Sequence, residues 1–264
     1  MSDRKALQAG TSHFLGQNFA RAFDIKFQNQ AGELEFAWTT SWGTSTRMIG
    51  AVIMAHSDDD GLILPPRLAP VKAVILPICT DSARLESELL PRAREIAAAL
   101  NRVLGPMAVQ VDTDFHLRPG DRFFRHLQKG VPLRLELGEK EMERQTLRAV
   151  RRDTAERSDI PWESVAAAVP GLLDDIQKSL FEKALAFRTA NTRHATSFDE
   201  MKSILESSGG FVTAYFGGDR SDEKAIKEAT GATVRCFPLS DDSRGTCFFT
   251  GKPDAKLAIF ARAY

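Results

Sequence analysis

The sequence predicts a multidomain chain of mixed α/β and α+β class, and three observations support this. Strand and helix patterns alternate from Val71 to about residue 155, as in a compact α/β domain. The segment from residue 198 onward repeats that alternation on a smaller scale. Pro65, Pro66 and Pro70 mark a linker after a first segment of different texture. We therefore expect three structural units, residues 1–69, 70–160 and 161–264.

The first segment predicts short pieces of helix and strand. Apolar residues recur at helical spacing at Phe14, Leu15, Phe19 and Phe23, and they alternate as in a strand at Leu34, Phe36 and Trp38. Thr44 and Ser45 predict the cap of an apolar helix carrying Met48 and Ile53, which Asp58 to Gly61 ends. Cut from other strands, such a segment leaves sheet edges unpaired and apolar surface uncovered, so we expect it to associate.

The other segments have stronger patterns. The middle segment predicts strands in VKAVILPI, AVQVD, PLRLELG and TLRAVRR, a long amphipathic helix from Leu85 to Val103, and a short helix opened by Pro119. A second long helix is predicted from Pro161 to about Thr192, with an interruption around Pro170 and Gly171. The last segment predicts helices over 198–207 and 221–230 and strands in FVTAYFG, TVRCFPL and LAIFARAY.

Composition limits the class of protein and of partner. Lys plus Arg balances Asp plus Glu at 35 each, so any case for nucleic acid depends on local charge. Ten basic and five acidic residues lie between Arg118 and Arg152, which fits an RNA-binding surface and a solvated helix and strand surface equally well. No apolar run is long enough for a membrane span or a signal peptide, so we expect a cytoplasmic protein. Three cysteines without a CxxC pair argue against a disulfide framework.

The stretch TSWGTSTRMIGAVIMAHSDDDGLILPPRLAP, residues 40–70, resembles motif 3 of the class II aminoacyl-tRNA synthetases, and specifically of prolyl-tRNA synthetases of the archaeal or eukaryotic type. LQAGTSHFLGQNF and DFHLRPGDRFFRHLQKGVPLRLELGEKEMERQTLRAVRRDT are similar to further parts of that family. The resemblance implies three units: half of the antiparallel-sheet catalytic domain, an α/β anticodon-binding domain with a mixed sheet, and a connecting helix with a small α+β C-terminal domain.

An ATP site is implied around the first of these motifs. A guanidinium beside a helix N-terminus can bind a phosphate group. Arg47 is predicted to have that position. The competing interpretation is an ordinary surface arginine, which is the commoner role of a lone arginine. The resemblance implies that Gln8, Thr11, Ser45 and Arg47 contact ATP, which enters with Mg²⁺ as a substrate. It also implies that His13 and Trp42 line a proline pocket; a tryptophan that only fills core is the competing interpretation.

The resemblance implies that Arg134 and Lys140 contact the tRNA, since phosphates and exposed base edges in RNA are bound by such groups. Ordinary charges at a strand edge are the alternative. The family commonly has a glutamate that pairs with a guanine edge where this sequence has Leu127, so we expect weaker base discrimination with phosphate attraction intact. Some relatives hold zinc with four cysteines in the last domain. Of the four cysteine positions that hold zinc in those relatives, only Cys247 is a cysteine in this sequence, so no structural zinc is expected.

The function implied is proline–tRNA ligation, in which ATP drives the attachment of proline to tRNA(Pro). Only seven residues precede Gln8, so motifs 1 and 2 do not fit, and we expect the segment neither to be catalytic alone nor to form the homodimer of the family. Met1 is either a true start or an internal methionine. One alternative is a non-catalytic paralogue that binds tRNA or other RNA or acts as a regulator. Another is a subunit that assembles with a separately encoded first half.

Overall fold

The computed structural model describes residues 1–264. The chain divides into two compact units, one formed by Met1–Ala51 with Asn191–Tyr264 and the other by Val52–Ala190. The predicted boundaries near residues 69 and 160 stay predictions. The mixed α/β and α+β class is confirmed, since each unit combines helices with sheets. None of the helices combines the length and apolar character needed to cross a membrane.

The N-terminal part of the first unit consists of short elements. They are β1 (Thr11–Gly16), α1 (Asn18–Ala22), β2 (Lys26–Gln28), β3 (Leu34–Phe36), β4 (Thr39–Gly43) and α2 (Arg47–His56). Two antiparallel pairs form, β1 with β4 and β2 with β3. Large apolar side chains stay exposed here, with Phe14 at 75% and Trp42 at 80% of their full accessible surface. The expectation of uncovered apolar surface and open sheet edges is therefore met.

The prediction of a helical pattern starting at Phe14 and Leu15 is wrong. Both residues lie in β1, and Phe14 is paired with Thr40 of β4. The hydrogen bonds of this pairing decide the local structure, because a short apolar run fits a helix and a strand equally well. The predicted strand around Leu34 ends at Phe36, so Trp38 lies outside it, where its ring stacks on Phe14 with centroids 5.6 Å apart.

The second unit is built around a five-stranded mixed sheet. Its elements are β5 (Ala73–Ile78), α3 (Ser82–Arg84), a π-helical turn (Leu85–Leu89), α4 (Leu90–Leu104), β6 (Val109–Val111), α5 (Pro119–Gln128), β7 (Leu133–Gly138), α6 (Glu139–Arg144), β8 (Thr146–Arg151), β9 (Arg157–Pro161), a 3₁₀ turn (Trp162–Ser164) and α7 (Val165–Ala190). The strand order is β6-β5-β7-β8-β9; β5 runs parallel to β6 and β7, and β8 is antiparallel to both neighbours. β9 extends the sheet beyond residue 155, up to which the sequence predicted alternating strands and helices.

The core of this unit lies mainly on one face of the sheet. Leu133, Leu135 and Leu137 alternate along β7 and pack with apolar residues of α4 and α7. On the other face, Val74 and Leu76 of β5 form a smaller cluster with residues around α5. The sheet is therefore covered on both faces, which is typical of strands joined by parallel crossovers.

The long helix α7 is continuous, so the predicted interruption at Pro170 and Gly171 is wrong. A proline inside a helix removes one backbone hydrogen bond and crowds the carbonyl of residue i−4. The helix nevertheless continues because its buried stripe runs past this point. Val165, Val169, Leu173, Ile176 and Leu180 are all buried in one core. The packing of that stripe outweighs the local cost of the proline.

The C-terminal part of the first unit is a sheet with two helices on one face. Its elements are β10 (Thr192–His194), α8 (Phe198–Ser207), β11 (Phe211–Phe216), α9 (Arg220–Thr230), β12 (Ala232–Cys236), β13 (Arg244–Gly245) and β14 (Ala255–Arg262). The strand order is β10-β11-β14-β12, with β13 also paired to β14. Ser197 and Asp219 cap the two helices, as their sequence positions favour. β10 and β13, like β9, were not predicted from the sequence.

The N-terminal segment is joined to the end of β14. The Ala6 amide donates to the Arg262 carbonyl at 2.9 Å, and the Tyr264 amide donates to the Ala6 carbonyl at 3.0 Å. The Arg4 guanidinium adds a hydrogen bond to the Ser208 carbonyl at 2.8 Å. These contacts explain why the first and last parts of the chain form one unit. They also fix the backbone two residues before Gln8.

Candidate functional site

The four residues predicted to contact ATP meet at one cavity. This cavity, here called the Arg47 cavity, has a volume of about 220 Å³ and is lined by Gln8, Thr11, Ser45 and Arg47 among others. The Gln8 amide donates to the Thr11 hydroxyl at 2.8 Å, and an Arg47 Nη atom lies 3.5 Å from Gln8 Oε1. The Arg47 amide lies 3.4 Å from Ser45 Oγ. A chain of hydrogen bonds thus connects all four.

Local structure explains this arrangement. β1 and β4 pair so that Thr11 lies opposite Gly43, and the Thr44 hydroxyl donates to the Ala9 carbonyl at 2.7 Å. Helix α2 begins at Arg47, and its first N–H groups are already engaged: the Met48 amide donates to the Ser45 carbonyl at 3.1 Å and the Ile49 amide to the Thr46 carbonyl at 2.9 Å. The Arg47 guanidinium is therefore the group of this cavity that favours an anion. Arg47 is the only cation lining the cavity and it is exposed, so water screens its charge.

The two residues predicted to line a proline pocket are not brought together. In the β1–β4 register His13 lies opposite Ser41, and Ser12 lies opposite Trp42. Directly opposed residues share a face, and successive residues alternate. His13 and Trp42 therefore lie on opposite faces of this two-stranded sheet, and both are exposed. Their role in proline binding stays a prediction.

A second cavity lies in the other unit. This basic cavity has a volume of about 280 Å³, and its lining includes Asp58, Asp60, Leu127, Arg134, Arg152 and Arg157. It forms where the C-terminal end of α5, the strands β7 and β8, and the turn after α2 meet. The predicted tRNA residue Arg134 therefore borders a concave surface together with Leu127. Lys140, the other predicted tRNA residue, is exposed on α6 and does not line the cavity.

Arg152 fixes the wall of the basic cavity. Its side chain is only 8% exposed and forms a bidentate ion pair with Asp58, with N–O distances of 2.9 and 2.5 Å. Its Nε atom donates to the Leu62 carbonyl at 3.0 Å, and its Nη2 atom to the Gly61 carbonyl at 3.2 Å. The hydrogen bond from Arg152 lowers the pKa of Asp58, so this carboxylate stays ionised. Arg152 thus holds the 58–62 turn against β8.

The local excess of basic residues is smaller than the sequence indicated. Six of the ten basic residues between Arg118 and Arg152 pair with carboxylates, namely Arg122, Arg125, Arg134, Arg148, Arg151 and Arg152. Arg134 donates from Nε to Glu136 at 2.9 Å and lies over the Phe123 ring, 4.6 Å from its centroid. Lys140 has no ion pair and projects into solvent. The charge available to RNA phosphates is therefore concentrated in a few groups.

A buried charge cluster supports α5, the helix that carries Leu127. Asp112 is 1% exposed and accepts from Arg122 Nε at 3.1 Å, Arg125 Nη2 at 2.8 Å and His126 Nε2 at 2.6 Å. Burial alone would raise the pKa of Asp112, but the Asp114 amide, His126, Arg125 and Arg122 together lower it to about 2. Burial lowers the pKa of His126, against the attraction of Asp112. This cluster joins the end of β6 to the inner face of α5.

Cys247 is held by backbone groups. Its Sγ atom accepts from the Gly217 amide at 3.4 Å and the Thr250 amide at 3.5 Å. Burial would raise the pKa of this thiol, but hydrogen bonds from the Thr250 side chain and from the Gly217 and Thr250 amides lower it. No group of three or more His, Cys, Asp or Glu residues in the chain is arranged to hold a metal ion. The absence of structural zinc stays a prediction.

Sequence reasoning missed the residues that shape the basic cavity. The segment Asp58 to Gly61 was interpreted only as the end of a helix, and the role of Arg152 was not seen. These residues are 94 positions apart in the sequence, and no local pattern links them. Only the early motif and the stretch around Arg134 carried a signal, and both came from family resemblance.

Two family models match parts of this chain. Residues 72–172 match the model described as an anticodon binding domain, and residues 198–264 match the model of the prolyl-tRNA synthetase C-terminal domain. A proline–tRNA ligase from Cytophaga hutchinsonii is 47% identical over 268 aligned residues, covering 100% of this chain and 53% of that protein. One from Chloroflexus aurantiacus is also 47% identical and is covered to 55%.

A solved structure is also similar to this chain along nearly its whole length. The Giardia lamblia prolyl-tRNA synthetase in complex with prolyl-adenylate superposes with a TM-score of 0.90 and 32% identity, covering 99% of this chain and 56% of that one. The chain therefore carries an anticodon-binding domain and a C-terminal domain of the prolyl-tRNA synthetase type. It spans about half the length of the curated relatives it matches.

Proposed function

We propose that this chain acts as part of a proline–tRNA ligase, which uses ATP to attach proline to tRNA(Pro). The observation that carries the proposal is the similarity to proline–tRNA ligases along the whole chain. The meeting of these four predicted residues at the Arg47 cavity also supports it. In this proposal the stretch around Arg47 is motif 3 of a class II synthetase, of the archaeal or eukaryotic type. The similarity to the Giardia lamblia enzyme supports that type, whereas the curated relatives named above are bacterial.

The Arg47 cavity would bind ATP with its Mg²⁺. In this proposal Arg47 contacts a phosphate group, and Gln8, Thr11 and Ser45 supply neutral hydrogen-bonding groups around it. Amino-acid activation is an attack of a carboxylate on the α-phosphate, so these groups would orient ATP and stabilise its charge without moving a proton. The assignment of His13 and Trp42 to proline rests on the family resemblance alone, since the β1–β4 register places them on opposite faces. The reaction would take place in the cytoplasm.

One cation in an exposed cavity is a weak clamp, so we expect the 264-residue chain to show no proline-dependent exchange of pyrophosphate into ATP above background. Each missing charged contact to the transition state commonly costs about 10²–10³ in rate. The measurement is ATP–pyrophosphate exchange with and without proline. Robust exchange that disappears in Arg47→Ala would show that the cavity is complete as it stands.

The tRNA is proposed to contact Arg134 and Lys140. We expect Arg134→Ala and Lys140→Ala each to weaken binding of tRNA(Pro) and to reduce the slope of log K against log salt by about 1. Lys178→Ala is the matched control, because Lys178 is an exposed lysine of the same unit that pairs with Glu182. Binding measured by fluorescence anisotropy at several salt concentrations gives both quantities.

The same experiment tests the alternative of a non-catalytic RNA-binding paralogue. A preference for tRNA(Pro) over unrelated tRNAs supports the synthetase function. Equal affinity for all tRNAs would favour the paralogue instead. Variants that match the control in both affinity and slope would contradict the assignment of Arg134 and Lys140. The homodimer of the family is a separate question, which sedimentation of the chain would address.

A further inference from the structure

The basic cavity contains more polar groups than are available to a ligand. Arg152 is engaged by Asp58 and three backbone carbonyls, and Arg151 pairs with Asp153 through Nε at 3.0 Å and Nη2 at 2.8 Å. The Asp153 carboxylate is 3% exposed, and His126 is engaged by Asp112. Leu127 brings no hydrogen-bonding side chain. These groups form the wall of the cavity, and because they are already paired, few hydrogen-bonding groups remain for a ligand.

Asp60 differs from the other acidic residues of the cavity. Its carboxylate has no hydrogen-bond or ion-pair partner, whereas Asp58 and Asp153 each form a bidentate pair with an arginine. Asp60 is exposed and lines the cavity beside Leu127. Arg157, also exposed at the cavity, has no carboxylate partner either. The cavity therefore contains one carboxylate without a partner, Asp60, and one guanidinium without a carboxylate partner, Arg157.

The backbone of Asp60 is held in place. Its amide donates to Asp58 Oδ1 at 3.1 Å, and Arg152 fixes Asp58 in turn. The next residue, Gly61, is packed so closely on α5 that an added Cβ would lie 2.5 Å from Gln128 Cα. The Leu62 amide donates to the Gln128 carbonyl at 3.1 Å. A carboxylate on such a fixed turn can recognise a ligand with defined geometry.

We propose that Asp60 is a specificity residue that reads a guanine base of the anticodon in the basic cavity. This inference rests on the proposed function, because proline codons begin with two cytosines and the matching anticodons therefore contain two guanines. A carboxylate accepts hydrogen bonds only, and guanine presents two adjacent donors, N1–H and the N2 amino group. Adenine and cytosine each pair one donor with an acceptor, and uracil has one donor between two carbonyls. Guanine alone satisfies both carboxylate oxygens.

The test compares anticodon stem-loops bound by the full chain. The probes are the stem-loop of tRNA(Pro), and the same loop with each anticodon guanosine replaced in turn by inosine, which lacks the N2 amino group, or by adenosine. We expect one of the two positions to prefer guanosine over either replacement by roughly tenfold. Asp60→Asn and Asp60→Ala should bring that ratio near one without weakening the binding of the substituted loops. Asp59→Asn is the matched control, because it removes the same charge from an exposed neighbour that does not line the cavity.

The outcomes separate this inference from the proposed function. A guanosine preference that survives in both Asp60 variants overturns the role of Asp60 and leaves the tRNA function intact. Equal binding of all loops by the unmodified chain overturns base reading in this cavity. A chain that binds no anticodon loop overturns the tRNA function as well. Loss of the preference in Asp59→Asn to the same extent would show a general charge effect and reject a specific role for Asp60.

Discussion

Replacing Asp112 by asparagine is expected to lower the free energy of unfolding by about 3–5 kcal/mol. Asp112 is the shared partner of Arg122, Arg125 and His126, and Arg122 is itself only 3% exposed. Without the carboxylate, a guanidinium stays buried with no counter-charge, which costs far more than an exposed pair is worth. Urea unfolding monitored by circular dichroism gives the difference. The result would connect the end of β6 to the stability of α5.

Asp114→Asn is the control for this prediction. Its carboxylate is 40% exposed and pairs with Arg125, so a loss below about 1 kcal/mol is expected. The pH dependence gives a second measurement. The pKa of Asp112 falls from its ordinary 3.8 to about 2 on folding, so its contribution is complete above pH 3.8 and is lost as the pH falls toward 2. That loss, about 2 kcal/mol, should disappear from the curve of Asp112→Asn. Equal acid sensitivity in the variant and the parent would contradict the assignment.

Replacing Gly61 by alanine is expected to destabilise the second unit by at least about 2 kcal/mol. Gly61 has φ of +150°, a conformation that residues with a Cβ rarely adopt, and the new Cβ would lie 2.5 Å from Gln128 Cα. Since that neighbour is backbone, either the 58–62 turn or the end of α5 has to move. The melting temperature and the protection of the Leu62 amide against hydrogen exchange should both fall.

The same substitution at Gly171 should have the opposite sign. Gly171 lies inside α7, is exposed, and has open space where a Cβ would project. Alanine in a helix interior is favoured over glycine by about 0.5–1 kcal/mol. A stabilised Gly171→Ala protein beside a destabilised Gly61→Ala protein would confirm that packing and φ decide the result. Two equal losses would point to a nonspecific effect of the substitution.

The sequence predicted most of the helices and strands because their apolar periodicity is strong. β5 is a buried run, β7 alternates buried leucines with half-buried residues, and the buried stripe of α7 is clear from its spacing. The strands that the sequence did not predict are those whose formation depends on tertiary contacts. β10 has three residues and β13 has two, and such strands exist only because β11 and β14 provide edges. No pattern of such length carries a strand signal.

The sequence predicted the residues of the Arg47 cavity more completely than those of the basic cavity. The Arg47 cavity brings together four residues predicted from a single resemblance, since two short motifs meet through the β1–β4 pairing. Only part of the lining of the basic cavity was predicted. Arg134 was identified, whereas Asp58, Asp60 and Arg152 were not, because their importance lies in which carboxylates are paired and which are not. That information exists only in three dimensions.

The pairing of Ala6 with the last residues of the chain has a practical consequence. The Tyr264 amide binds a carbonyl two residues from Gln8, so loosening of the β14 strand would be transmitted to the loop that carries Gln8 without any change in that loop's own sequence. Cavity-forming substitutions deep in the C-terminal sheet, such as at the fully buried Phe260, should therefore disturb ligand affinity at a distance. A protein engineer would have to treat Tyr264 as part of the support of the Arg47 cavity, and attach affinity tags elsewhere.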